Sequence, residues 1–337
     1  MARMRARALD RLHALRRRPD TAAEVDAIAV VAERLAVLLS AGVPASAAWG
    51  HIGERSDPSA PVARGGGARH ADRLVLAAAA AAAAEGESVS AAIGAARAGA
   101  PEASGEWSVL AAAWAVAVDS GAPLAASLRD LAATLRDEAQ LRREVRTALA
   151  GPIASARLVM SLPLIAVFFG AVLGFDTFAV LFGNPVGVAC VVGGGMLLWI
   201  GRRWSVSLAT RAARSRSDAG LELELLAIAM SSGASIERAG DVVRDALRTN
   251  AVAAPDDGAS DAVIALAARA GAPVSDLLRA EAFRLRRVAR AEGTARAAAL
   301  GVRLMLPLGA CVLPAFVLLG VVPLLVSVVT GTLGGAA

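Results

Sequence analysis

Apolar residues recur along this chain in two different rhythms. In the first they fall three and four positions apart. Leu124, Leu128, Leu131 and Leu135 share one helical face, while Arg129, Asp130, Arg136 and Asp137 take the others. This spacing predicts amphipathic helices packed into a bundle. Ala27–Ser40, Trp107–Asp119, Leu124–Leu149, the segment from Leu221, Asp261–Arg269 and Val274–Ala299 all read as helices. In the second rhythm polarity vanishes. Leu158–Gly174, Phe178–Gly201 and Leu304–Val329 contain no charged residue, and a bilayer crossing takes about 17–25 mostly apolar residues. The expected class is an all-α integral membrane protein. Two helical bundles, 26–150 and 215–302, accompany a transmembrane hairpin (158–174, 178–201) and a third span at 304–329, after a basic arm at 1–25.

Punctuation between the helices refines this picture. Gly42 and Pro44 end the first helix. The stretch from Gly53 to Asp72 (GERSDPSAPVARGGGARHAD) has linker composition, as does Asn250–Ser260. The alanine run Ala77–Ala84 favours helix but is too short and too weakly apolar to span a membrane. Gly86–Gly105 is turn and helix material.

The chain also repeats itself. SGAPLAASLRDLAATLRDEAQ begins at Ser120 and AGAPVSDLLRAEAFRLRRVAR at Ala270. Gly121 and Pro123 match Gly271 and Pro273, Leu128-Arg129 matches Leu278-Arg279, and Leu135-Arg136 matches Leu285-Arg286. Upstream, the corner at Gly233 echoes the one at Gly42. Each copy then enters a segment carrying Leu-Pro-Leu, around Pro163 and Pro307. A left-handed glycine followed by a helix-opening proline is a helix–turn–helix corner, so the pattern is a tandem duplication. Further kinks are expected at Pro314 and Pro323, and bends at Gly151-Pro152 and Gly301.

Charge placement orients the expected spans. Arg142, Arg143, Arg146 and Arg157 precede the first, Arg202 and Arg203 follow the second, and Arg296 and Arg303 precede the third. No basic residue lies between Arg157 and Arg202 or after Arg303. The positive-inside rule then puts both bundles in the cytoplasm, with the turn at Asp176 and the C-terminus outside. Trp199 and Trp204 bracket the cytoplasmic end of the second span, as interfacial anchors do.

Composition removes several function classes. There is no Lys among the 337 residues. A phosphate-binding loop of the GxxxxGK[ST] kind is therefore excluded, as is any Lys nucleophile. Cys190 and Cys311 fall in apolar segments and read as small buried hydrophobes. His13, His51 and His70 are scattered, without metal spacing. No nucleophilic triad or metal cluster stands out, Asp256-Asp257 reads as loop polarity, and no cofactor is implied. A net charge of +5, with arginines concentrated at membrane boundaries, fits anionic lipid better than nucleic acid.

The motifs LLSAGVP, SGAPLAASLRDLA, RREVRTALA leading into SLPL, and MLPLGACVLPAFVLLGVVPLL resemble the type II secretion system F-domain family. They look closest to the inner-membrane platform proteins of Tad (tight adherence) pili. That resemblance implies six-helix cytoplasmic domains and a non-enzymatic role. It implies coupling between a separate hexameric ATPase and pilin or pseudopilin subunits, alongside a second platform protein or further copies of the chain. The alternative reading is a small multi-span transporter or channel subunit. Such proteins usually carry ionisable residues inside their spans, and these spans have none.

Overall fold

The computed structural model describes residues 21–54, 67–172, 182–183, 185–213, 220–253, 258–323 and 325. The basic arm up to residue 20, the Asp176 turn, Asp256-Asp257 and the glycine-rich tail lie outside that range. So do residues 55–66 of the expected linker. Among the described residues there are helices and turns and no strand. In chain order the helices are α1 Thr21–Ser40, α2 Ala45–Glu54, α3 Gly67–Glu85, α4 Val89–Gly99, α5 Glu106–Ser120 and α6 Leu124–Val172. They continue as α7 Pro185–Ala213, α8 Leu221–Met230, α9 Ile236–Thr249, α10 Ala259–Ala270 and α11 Val274–Arg303. The chain divides into two compact units, one of Met1–Arg142 and Arg216–Ala289, the other of Arg143–Ser215 and Arg290–Ala337.

The first unit has one core, to which both copies of the repeat contribute. Val25, Ile28, Leu35, Trp49 and Leu128 from the first copy belong to the same buried cluster as Leu225, Ile228, Val243 and Leu278 from the second. The physical reason lies in size. Among its described residues the second copy has four helices and no counterparts of α3 and α4, so its short helices bury their apolar faces against the first copy. α5 shows the consequence. Trp107, Leu110, Ala111, Ala112, Ala113, Trp114, Val116 and Ala117 are all buried, the signature of a helix enclosed on every side. It packs on α8 and α9 as well as on α1 and α4.

Several boundaries differ from those expected from sequence. α1 starts at Thr21 rather than Ala27. α3 starts at Gly67, inside the expected linker, and sets Ala71, Val75, Leu76, Ala79 and Ala82 against the core. Alanines on one face are enough to pack a helix that is too weakly apolar to enter lipid.

The corners have the backbone that the repeat demands. Gly42 and Gly233 both sit at φ +83°, and Gly121 and Gly271 at +71° and +64°. At three of the corners the sixth residue bonds back to the first. Val43 N–H donates to Leu38 O (3.0 Å), Ala122 N–H to Ala117 O (2.9 Å) and Ala272 N–H to Ala267 O (3.2 Å). These bonds satisfy carbonyls that a helix end otherwise leaves open.

The end of α9 uses the same closure without a glycine. Val252 N–H donates to Leu247 O at 2.9 Å while Ala251 is held at φ +51°. A left-handed alanine costs roughly 1–2 kcal/mol relative to a helical one, a cost glycine escapes. Ala251→Gly is therefore expected to stabilise the first unit by about 1 kcal/mol, read as a raised thermal midpoint. An unchanged midpoint would mean that the turn relaxes on its own.

The second unit is held by close backbone approach. A Cβ on Gly194 would meet Leu319 Cγ at 2.5 Å, one on Gly201 would meet Cys311 Cβ at 3.0 Å, and one on Gly320 would meet Ala166 Cβ at 3.0 Å. Small residues at such crossings let apolar helices pack without a hydrophobic driving force. Two helices among the described residues are long and apolar enough to cross a membrane, Leu124–Phe169 and Val274–Val321. Leu158, Phe168, Phe169, Val192, Met196, Trp199, Leu306 and Leu313 are exposed large apolar side chains of this unit. Of the expected second span, Pro185–Gly201 is helical within α7, and residues 178–181 and 184 lie outside the description.

Candidate functional site

The duplicated corners set two equivalent ion pairs in the first unit. Counting back nine residues from Gly42 gives Glu33; counting back nine from Gly233 gives Glu224. Counting on fifteen from Gly121 and from Gly271 gives Arg136 and Arg286. In the first copy Arg136 forks onto Glu33, its Nη1 donating to Oε1 at 2.8 Å and its Nη2 to Oε2. In the second copy Arg286 Nη1 donates to Glu224 Oε2. The pairs share a place in the repeat but not an environment. The Glu33 and Arg136 side chains are 41% and 44% exposed, whereas Glu224 is 8% and Arg286 24% exposed.

Glu224 is buried because the first copy covers it. Thr134 on α6 places its hydroxyl 3.1 Å from both Glu224 carboxylate oxygens. One helical turn earlier, Asp130 lies 3.5 Å from Arg279 of α11. The joint between the copies is thus polar at its centre and apolar around it. Burial pushes the Glu224 carboxyl above its ordinary range, opposed by the Arg286 charge and by the Arg286 and Thr134 hydrogen bonds.

A second polar node pins α3 to α5. Asp72 Oδ1 accepts from Ser104 N–H (3.0 Å) and from Trp107 Nε1–H (2.8 Å). Burial again raises the carboxyl, and these two hydrogen bonds only partly offset it. A carboxyl raised in the folded state binds more protons folded than unfolded. Its stabilising contribution is complete below the unfolded value and is lost as pH rises through the folded one. Asn keeps the accepting oxygen and cannot ionise. Asp72→Asn is therefore expected to hold the fold and flatten the decline in stability from the ordinary carboxylate range upward, checked by thermal midpoints across a pH series. A slope identical to that of the parent chain would refute the assignment.

The corner and kink residues singled out from sequence fall into two groups. Gly42, Gly121, Gly233 and Gly271 are the left-handed corners. Pro44, Pro123 and Pro273 follow three of them, and their carbonyls accept from Ala48 (2.9 Å), Ser127 (3.1 Å) and Leu277 (3.3 Å) at the start of the next helix. Pro163 lies inside α6, which runs unbroken through Gly151 and Pro152. Gly301 lies inside α11, so both expected bend points are helical. Pro307, Pro314 and Pro323 sit in or beside a run of alternating α and π turns, with wide turns at Leu308–Val312 and Val317–Val321. There Leu313 N–H reaches Leu308 O and Val322 N–H reaches Val317 O. A proline lacks the N–H that its preceding turn needs, and widened turns re-pair such carbonyls within the helix. The structure does not bring the corners together into one site. The ion pairs, which it does bring together, went unnoticed in the sequence. Aligning the two Gly corners on each other and comparing acidic positions upstream would have found them.

Among the described residues no three His, Cys, Asp or Glu side chains are grouped so as to hold a metal ion. Both cysteines are free and buried. An all-helical protein with a polar joint between two repeats and helices fit to cross a bilayer defines a class of membrane protein. Residues 31–171 match the sequence model of the family described as type II secretion system (T2SS), protein F; no curated protein and no solved structure matches the chain. Over that segment the chain is similar to the type II secretion system F-domain family. The match runs from within α1 almost to the end of α6 and takes in α2 to α5 whole.

Proposed function

We propose that this chain is the inner-membrane platform of a type II secretion or Tad-like pilus machine, and that it couples a separate cytoplasmic ATPase to the assembly of pilin subunits. The carrying observation is the F-domain match at residues 31–171, which ends inside an unbroken helix, Leu124–Val172. A helix that continues from packed core residues into an exposed apolar stretch is a stiff connection for transmitting force. The second copy, 215–302, serves on this reading as a further F-domain-like segment, and 304–329 as a third span after the hairpin 158–174 and 178–201. Arginine placement supports a cytoplasmic location for both copies and an external C-terminus. The absence of Lys supports a motor supplied by another protein.

A topology measurement tests this reading on the full chain. Glu237 opens α9 on the surface of the first unit. A Glu237→Cys chain is expected to react with a membrane-impermeant maleimide in inverted vesicles and not in intact spheroplasts. The detergent-extracted chain is expected to retain a hexameric secretion ATPase from its own cell. Labelling from the exterior alone would overturn the proposal, as would failure to retain the ATPase.

A further inference from the structure

The joint between the two copies is one-sided. α5 and α6 of the first copy cover α8 of the second, yet α10 and α11, their counterparts, do not cover α1. Burial records the asymmetry at matched positions. Ile228 of α8 is 1% exposed, whereas Val37, its match on α1, is 56% exposed. Val116 of α5 is 0% exposed, whereas Leu266, its match on α10, is 47% exposed. The same holds for the ion pairs, buried in the second copy and open in the first.

Each copy therefore has an accepting face and a covering face. The accepting face of the second copy and the covering face of the first are spent on each other within the chain. The accepting face of the first copy remains open. Glu33, Arg34, Val37, Leu38 and Ile52 line a groove of about 560 Å³ there. The covering face of the second copy is open too, with Leu266 and Arg284 on it.

The charges on these open faces complement each other. In the buried joint Thr134 meets Glu224; the match of Thr134 on α11 is Arg284 and the match of Glu224 on α1 is Glu33. Leu131 and Leu225, both in the shared core, are matched by Glu281 and Arg34. Where the internal joint uses a hydroxyl and two leucines, the open faces carry charges of opposite sign. Glu33 is held by Arg136 and Glu281 by Arg284 within the chain, so docking exchanges exposed ion pairs, the mark of a contact made and broken in water.

We infer that the Glu33–Arg34–Val37 face of α1 is a docking surface for a second copy of this chain, which applies the Leu266–Arg284 face of its α10 and α11. The internal joint supplies the template for the geometry. Such a contact joins unlike faces: it propagates into a ring or a row unless two chains exchange both faces across a two-fold axis. The inference rests on the repeat and on burial and is independent of the platform reading.

The test uses full-length chains in detergent, one carrying Val37→Cys and one Leu266→Cys, with different affinity tags, mixed and treated with a short bismaleimide. The expected product joins the two tags above the level given by the parent chain, whose cysteines are buried. Val37→Cys chains alone should give none. Glu33→Arg should cut the yield about fivefold, the effect of losing one exposed charge pair, and Arg284→Glu in the partner should restore it. Absence of the mixed product, or Val37-to-Val37 linkage in its place, would overturn the inference. A product that forms only after deletion of residues 1–20 would also overturn it, because the basic arm would then be the native occupant of the groove.

Discussion

Arg286→Ala is expected to destabilise the first unit by about 4 kcal/mol, because it leaves a carboxylate buried with only the Thr134 hydroxyl to face it. Glu224→Ala should cost less, about 3 kcal/mol, since Arg286 keeps 24% of its side chain in solvent and can turn outward. Replacing both together, as Glu224→Leu with Arg286→Met, should recover most of the loss. Apolar side chains of similar volume need no partner, and the surroundings are already a hydrophobic cluster. Trp49, Trp107 and Trp114 lie in the first unit, and Trp199 and Trp204 in the second. A blue-shifted subset of the tryptophan emission will therefore report on the unit where the mutations act. If the double variant were no more stable than the worse single one, the pair would be fixing the joint and not merely compensating its own burial.

Trp49→Ala is expected to cost about 3–5 kcal/mol, the range for emptying a fully buried aromatic site. Trp49 is entirely buried and meets Trp114 edge to face, with ring centroids 5.4 Å apart. Such a pair adds roughly 0.5–1.5 kcal/mol beyond area. Trp49→Phe should behave differently. The indole Nε1 is buried without a hydrogen-bond partner, and an unpaired buried donor carries a penalty of about 1–3 kcal/mol. Phenylalanine sheds that penalty while opening a smaller void, so the loss should stay below about 2 kcal/mol. Denaturant midpoints of the three chains, measured in one detergent, give the ordering. Equal losses for Ala and Phe would show that the indole nitrogen reaches water.

The helical elements were legible wherever local chemistry decides them. A glycine that must adopt positive φ, followed by a proline that opens a helix, identifies itself at Gly121-Pro123 and Gly271-Pro273 without any knowledge of the surroundings. The uncharged run into Pro163 was equally plain, because lipid tolerates so little. What escaped notice depends on contacts made at a distance. α3 begins in a glycine-rich stretch that looks like linker, and only the core against Ala71 and Val75 makes it helix. Two bundles were expected where one core serves both copies, since a count of helices does not reveal that the second copy is too thin to fill its own interior. Glu33 and Arg136 stand 103 residues apart and Glu224 and Arg286 stand 62 apart. No window on the sequence holds both members of either pair. Their kinship is nonetheless written there, in the equal distance of each glutamate from its corner.

The two wide turns near the C-terminus have a geometric consequence. An ordinary helix advances about 100° per residue, and each π turn accommodates one residue more than the regular winding does. Past Val312 the angular phase of the side chains has therefore shifted by about 100°, and past Val321 by about 200°. A helical wheel drawn straight through Leu304–Val321 would assign residues of Leu313–Phe316 and beyond to the wrong azimuth. Pro307, Cys311 and Leu319, which face α7 through Gly201 and Gly194, keep a common side only because the winding is reset between them. Inserting or deleting one residue between Leu313 and Phe316 would rotate Leu319 away from Gly194, whereas a conservative substitution there would leave the seam aligned.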